Sequence, residues 1–320
     1  MIIIKTKTMK KIGFIIMILL SVGTLSAQKR IVASGNAVTK EFIHKPFTAV
    51  NVNFIGNVVI RYGNQHKTEI TADDNIIEHV KIQVAEGKLS ICMDDNFSYE
   101  KARLQVDITT PQLKELTMHG TCDVQIESRT EPQLAISKSG TGDCIINCVK
   151  IEESIEIHNN GTGDVIILRE GPLKAKSLFI NNPGTGDITI NASSIGESLT
   201  ISNPGTGNVK VNLMGIPTEN ITLQNKGTGD IRIQNMLGKS VQVKNLGTGE
   251  VILNGKATSH RLVNSGSGNI NALSLKAETS HITNSGVGNV KANVTGTAYV
   301  TNYSHVGKVD ISGGGKVVWE

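Results

Sequence analysis

Aromatic side chains are scarce in this chain: Phe, Tyr and Trp make up 3 % of the 320 residues, with a single Trp. That leaves few flat platforms for stacking a sugar ring or a base. Cysteine is also sparse, with Cys92, Cys122, Cys144 and Cys148 and no CxxC spacing of the kind a structural zinc site asks for. Charge of one sign is missing too. The formal net charge is +4, but four of the 32 basic residues and none of the 28 acidic ones fall in residues 1–27, so the rest carries 28 of each. A neutral body lacks the basic footprint of a nucleic-acid binder. No GxSxG element and no Cys/His pair stands out, which leaves nucleophilic hydrolysis without a signature.

Only one long apolar run exists. Lys5, Lys7, Lys10 and Lys11 precede Ile12 to Leu20, and small residues then lead to Ala27. A basic stretch, a short apolar core and a small-residue exit form a secretory signal peptide, expected over 1–27. The run is too short for the roughly 30 Å of a bilayer core, so no integral membrane segment is expected once it is removed. Translation from Met9 would make the leader more compact. No Cys follows the leader directly, which argues against a lipid anchor.

What is abundant is glycine, in a repeated phrase. Gly-Thr-Gly-Asp occurs at 140–143, 161–164, 184–187 and 227–230, with variants at 205–208, 247–250, 266–269 and 286–289. The first glycines are spaced by 21, 23, 21, 22, 20, 19 and 20 residues. A fixed period near 21 is a solenoid signal. After each phrase comes an alternating apolar segment, such as Val165-x-Ile167 or Ile188-x-Ile190. Before each lies another, such as Leu178-x-Ile180 or Ile221-x-Leu223. Period-two patterns rich in β-branched residues are strands with one buried face. The expected fold is therefore all-β: a right-handed parallel β-helix, because parallel crossovers favour that hand. Residues 112–320 hold about ten coils, counting worn copies at 119–123 and 304–308. At about 4.8 Å per coil the rod is roughly 48 Å long. Glycine at the corner is read as serving a positive φ. Neighbouring coils complete each other's core.

Two polar columns accompany the repeat. Asn159, Asn182, Asn203, Asn225, Asn245, Asn264, Asn284 and Asn302 share one corner, where their amides are expected to stack, each donating to the next. Asp123, Asp143, Asp164, Asp187, Asn208, Asp230, Glu250, Asn269 and Asn289 share another. Cys144 falls in an apolar slot and reads as a small buried hydrophobe. Its pairing with Cys148 would have to close about 13 Å of strand. A bridge from Cys122 to either remains open.

Residues 28–111 are less regular and read as a β region capping the first coil, whose open edge would otherwise invite aggregation. Within it, 55-IGNVVI-60 looks like a worn repeat, Asp73 to His79 like one helical turn, and Val80 to Met93 like a hairpin around Glu86-Gly87. Gly313-Gly314-Gly315 and Trp319 are expected to close the other end.

The opening 34-SGNAVTKEFIHKPFTAVNVNFIGNVVI-60 and 113-LKELTMHGTCDVQI-126, running into the GTGD repeats, resemble the putative auto-transporter adhesin, head GIN domain family of exported, chiefly Bacteroidetes proteins. The resemblance spans nearly all of the chain after the leader. It implies a right-handed β-helical stack and an adhesin role, and brings no catalytic residues. No even series of lipid-facing strands follows, unlike a true autotransporter.

The acidic column offers the candidate site residues, Asp143, Asp164 and Asp187. Stacked carboxylates repel, and calcium between neighbours would relieve that. The competing reading is a turn residue accepting backbone hydrogen bonds. No cofactor other than calcium is implied. A glycosidase needs two carboxylates tuned apart, and every acidic pair here sits in an equivalent turn. His260 occupies an apolar slot and reads as core; His158 and His281 read as solvated. The sequence thus points to an exported, non-enzymatic protein of the periplasm or surface of a Gram-negative bacterium. Its outer strand faces, with Thr200, Thr222, Gln242 and Arg232, would meet a glycan or protein partner. The alternatives are a carbohydrate-active enzyme on the same fold and an envelope structural protein without a ligand.

Overall fold

The computed structural model describes residues 29–127, 129–147, 149–168 and 173–320, apart from the side chains at 129, 149 and 192. The leader expected over 1–27 lies outside them, as does Cys148. No helix among the described residues is long and apolar enough to cross a membrane.

The repeats wind as a β-solenoid of about ten turns. The strand that follows the glycine phrase stacks in parallel from coil to coil. Val165 pairs with Cys144 and Ile188, Val209 with Ile188 and Ile231, and so on to Val290 and Val309. The strand that precedes the phrase does the same, through Ile157, Ile180, Ile201, Leu223, Val243, Leu262, Ile282 and Val300. These inward residues are buried up to Val300 and form one continuous apolar cluster from Phe47 to Val300, with the half-buried Val309 packed against its end. Each contributes about 1.5–3 kcal/mol by leaving water.

The segment between these strands, whose varying length suggests a turn, holds a third short parallel ladder. Leu173 pairs with Ser193, Met236 with Gly255, and Ala257 with Ala277. Register shifts fall where this ladder joins the next, as between Ile233 and Met236, and absorb the drift in period. Each coil is therefore three-sided.

The corner glycines do not sit where the sequence reading put them conformationally. From Gly140 to Gly288 none of the paired corner glycines has a φ in the left-handed region. Their role is close approach. A Cβ on Gly161, Gly205 or Gly247 would overlap the carbonyl oxygen of the glycine one coil below, and so would one on Gly186, Gly207 or Gly229. Backbone bonds cross the corner at the same level, as Thr185 N to Gly161 O at 3.0 Å and Thr248 N to Gly227 O at 3.0 Å.

The first coil is Ala49–Phe54 and Gly56–Tyr62, which stacks on Glu115–Gly120 and Asp123–Ile126. On its other side lie Lys88–Met93 and Leu104–Thr110, also parallel. The chain thus builds its first coil, runs outward to add one beneath, and returns. Beyond that coil the strands turn antiparallel: Val80–Ala85 in a hairpin through Glu86 and Gly87, and Lys67–Asp73 with Ala37–Ile43. A single helical turn, Asp74–Ile77, tucks Ile76 and Ile77 into the core. Lys40, Glu41 and Lys81 sit on the outermost strands, where charge discourages edge pairing. At the far end Gly313-Gly314-Gly315 joins the last two strands, and Trp319 pairs with Val300 on the inward-facing side, 61 % exposed because no coil lies above it.

Close approach at the corner predicts the effect of adding one methyl. Gly229→Ala should destabilise by about 1–3 kcal/mol or more, as overpacking against rigid backbone does. Gly196→Ala, with open space around it, should stay within about 1 kcal/mol of wild type. Urea midpoints of the two variants check this.

Candidate functional site

The acidic column is built by the corner itself. The backbone N–H of each column residue donates to the side-chain oxygen of the one a coil below. Asp143 donates to Asp123 Oδ1, Asp164 to Asp143 and Asp187 to Asp164, each at 2.8 Å. Asn208, Asp230 and Glu250 continue the series at 2.7–2.9 Å. Asp143, Asp164 and Asp187 are half-buried, and each has one oxygen committed in this way. Among the described residues no group of three or more His, Cys, Asp and Glu is placed to hold a metal ion.

The Asn column faces inward and is fully buried up to Asn284. Its hydrogen bonding differs from a chain of amides. Several Nδ2 atoms donate to the second glycine of their own corner: Asn182 to Gly186 O at 3.1 Å, Asn203 to Gly207 O and Asn245 to Gly249 O at 3.0 Å, whereas Asn264 reaches Gly288 O of the next coil at 2.9 Å and Asn225 Nδ2 has no partner. One amide-to-amide bond occurs, Asn264 to Asn284 Oδ1 at 3.3 Å. The reason is proximity. A carbonyl four residues on is nearer than the amide one coil away. Asn182, Asn203, Asn245 and Asn264 keep Oδ1 atoms without a donor. The spacing of 21 residues before Asn159 also falls on Lys138, which pairs with Asn159 and is buried. Reading the column as asparagine alone missed it.

The outward side of the strand preceding the corner carries another column. Phe179, Thr200, Thr222, Gln242, Arg261, His281 and Tyr299 succeed one another coil by coil. Thr200, Thr222, Gln242 and Arg261 line a shallow trough of about 270 Å³, with Gln224 and Lys244 on its far side. His281 lies flat on Tyr299, ring centroids 4.9 Å apart and 16° between planes. At the other end Phe179 meets His158 at 5.4 Å, and His158 Nε2 is 2.7 Å from Glu156 Oε1. Both histidines thus have partners on the outer face. Arg232 belongs elsewhere: it follows the corner and lines a separate recess of about 310 Å³ with Asp187, Lys210 and Asp230. A third, open groove of about 730 Å³ runs along the corners between Pro183 and Val287, with Thr185, Thr206, Thr228 and Thr248 lining it.

Inside, His260 occupies an apolar position, with Nδ1 2.9 Å from Ser280 Oγ and Nε2 unpartnered. Burial lowers its pKa to about 4. Cys122 and Cys144 are free thiols, pushed up by burial to about 11 and about 12. Thiols so protonated are poor nucleophiles.

The chain matches the family described as "Putative auto-transporter adhesin, head GIN domain" over residues 46–213 and again over 211–317. The chain belongs to this family. The two matched stretches meet at a coil whose ladder is unbroken, since Val211 pairs with Ile190 and Ile233; the head GIN repeat here makes one rod. Among solved structures, a putative adhesin from Bacteroides fragilis NCTC 9343 is 18 % identical, with 91 % of this chain and 100 % of that one covered, and a TM-score of 0.28. A putative adhesin from Parabacteroides distasonis ATCC 8503 is 15 % identical over 91 % and 100 %, with a TM-score of 0.46. A putative lipid binding protein from the same organism is 18 % identical over 91 % and 100 %, at 0.41. No curated protein matches the chain.

The buried imidazole sets a pH dependence. A folded pKa near 4 against 6.5 in the unfolded chain means folding favours the neutral ring. That contribution is complete above about pH 6.5 and is lost as pH falls towards 4. The melting temperature should therefore drop across this window, and His260→Leu should flatten the drop.

Proposed function

We propose that this head GIN protein is a non-enzymatic adhesin of the bacterial envelope, and that its ligand is an extended glycan lying along the outward column from Phe179 to Tyr299. The observation that carries this is the trough formed by Thr200, Thr222, Gln242 and Arg261. It places hydroxyl, amide and guanidinium donors in a line on rigid strands, one per coil at about 4.8 Å. The trough runs on to the stacked His281 and Tyr299, a flat surface of the kind a sugar ring packs on. A polymer of repeating polar units fits a repeating polar surface better than a compact ligand does.

The equivalence of the coils supports a non-enzymatic role. Each carboxylate from Asp123 to Asp187 spends Oδ1 on the next backbone amide in the same way. Nothing separates one of them as acid from another as base, which sugar hydrolysis needs.

A glycan array probed with the purified chain, with and without calcium, tests this reading. Binding is expected to fall about tenfold or more in Arg261→Ala, since a hydrogen bond to a charged group contributes about 1.5–3 kcal/mol. Lys210→Ala, on the other face, should bind as wild type. Equal binding by both variants would move the site elsewhere, and silence across the array would favour a structural envelope role.

A further inference from the structure

Lys138 is a buried titratable group that the proposed binding face does not use. It points into the inner corner from Arg129–Lys138 and pairs directly with Asn159 of the next coil. Both are shielded from water, at 1 % and 0 % exposure. Lys138 Nζ lies 3.4 Å from Asn159 Oδ1, 2.7 Å from Gly163 O and 3.2 Å from Gly140 O. The carboxamide it faces is fixed on every side. Asn159 Nδ2 donates to Gly163 O and Gly186 O, each at 3.2 Å, and Oδ1 accepts from Gly161 N at 3.3 Å.

We propose that Lys138 and Asn159 join in an intramolecular isopeptide bond, a covalent clamp between two successive coils. The amine and the carboxamide are held side by side in a dry site, the condition under which intramolecular reactions gain most from proximity. The Gly161 N–H on Oδ1 is placed to stabilise the negative charge that develops there as the amine attacks. Burial acts on Lys138 in the same direction, lowering its pKa and favouring the neutral nucleophile, while the charges of Asp143 and Asp164 oppose this. In the step, the lone pair of neutral Nζ forms a bond to Cγ of Asn159. One proton passes from Nζ to Nδ2, with the Gly163 carbonyl bonded to both nitrogens. The Cγ–Nδ2 bond then breaks and ammonia leaves. No oxidant or other reactant is needed. The product amide is neutral, so the buried cation disappears, and its remaining N–H is still directed at Gly163 O.

Intact-mass spectrometry of the whole denatured chain, followed by tryptic mapping, decides the matter. The expected wild-type chain is lighter than its sequence by one ammonia, resists cleavage after Lys138, and yields a branched peptide joining the segments around 138 and 159. Asn159→Asp should lose one water instead, and Lys138→Gln should have its sequence mass. A wild-type mass equal to the sequence overturns the proposal and leaves Lys138 as a charged end-piece of the Asn column. Loss of ammonia with normal cleavage after Lys138 is a succinimide at an asparagine, and overturns it as well. The wild-type measurement decides alone if a variant fails to fold. It is independent of glycan binding.

Discussion

The rod depends on the absence of two Cβ atoms per coil. At the GxG corner successive turns approach so closely that any side chain would overlap the carbonyl below. Short backbone bonds such as Val165 N to Asp187 O, 2.9 Å, hold the corners at that distance. Everything else in the repeat is spaced by this contact. Because the corners stack without offset, the strands on either side keep one register over many coils, and each residue type becomes a column.

Columns change what a residue costs. A lone Asp at a turn caps its own loop, whereas here each Asp caps the next coil's amide and so links neighbours. The series lapses after Glu250. It resumes where Asn289 N donates to Asn269 Oδ1 at 2.8 Å. The inner asparagines satisfy glycine carbonyls within their own corner. Five of them, Asn182, Asn203, Asn225, Asn245 and Asn264, leave their own oxygens unmet, a cost the surrounding apolar stack outweighs. The outer ladder joins coils, while the inner one both ties its own corner and reaches the next coil, as Asn159 does to Gly186 O and Asn264 to Gly288 O.

Much of the architecture was legible because it is repetitive. Period, strand faces and both polar columns follow from residues that recur at one spacing, and the hairpin at Glu86-Gly87 and the turn at Asp74–Ile77 follow from local chemistry. The third ladder was not legible, since Ser193 and Ile195 pair with Leu173 and Ala175 by stacking and have no pattern of their own. Nor was the placement of Lys88–Thr110 beneath an earlier coil, because chain order predicts the neighbour only when the winding is monotonic. The role of glycine was read as conformational, when the decisive neighbour lay about 20 residues away and needed three dimensions to appear.

The proposed binding face was half legible for a related reason. Thr200, Thr222 and Gln242 could be named from strand parity, but Arg232 has the same parity in a different strand and faces another side of the rod. Parity separates inside from outside and cannot tell which of three outer faces a residue joins. Arg261 and His281 complete the column because Gln242 pairs with Arg261, and Arg261 with His281. In a structure made of equivalent turns, function has to come from departures from the repeat, since whatever every coil shares is needed to make the coil. The departures here are few: the aromatic residues at 179 and 299, the arginine at 261, and a lysine where the inner corner otherwise carries asparagine.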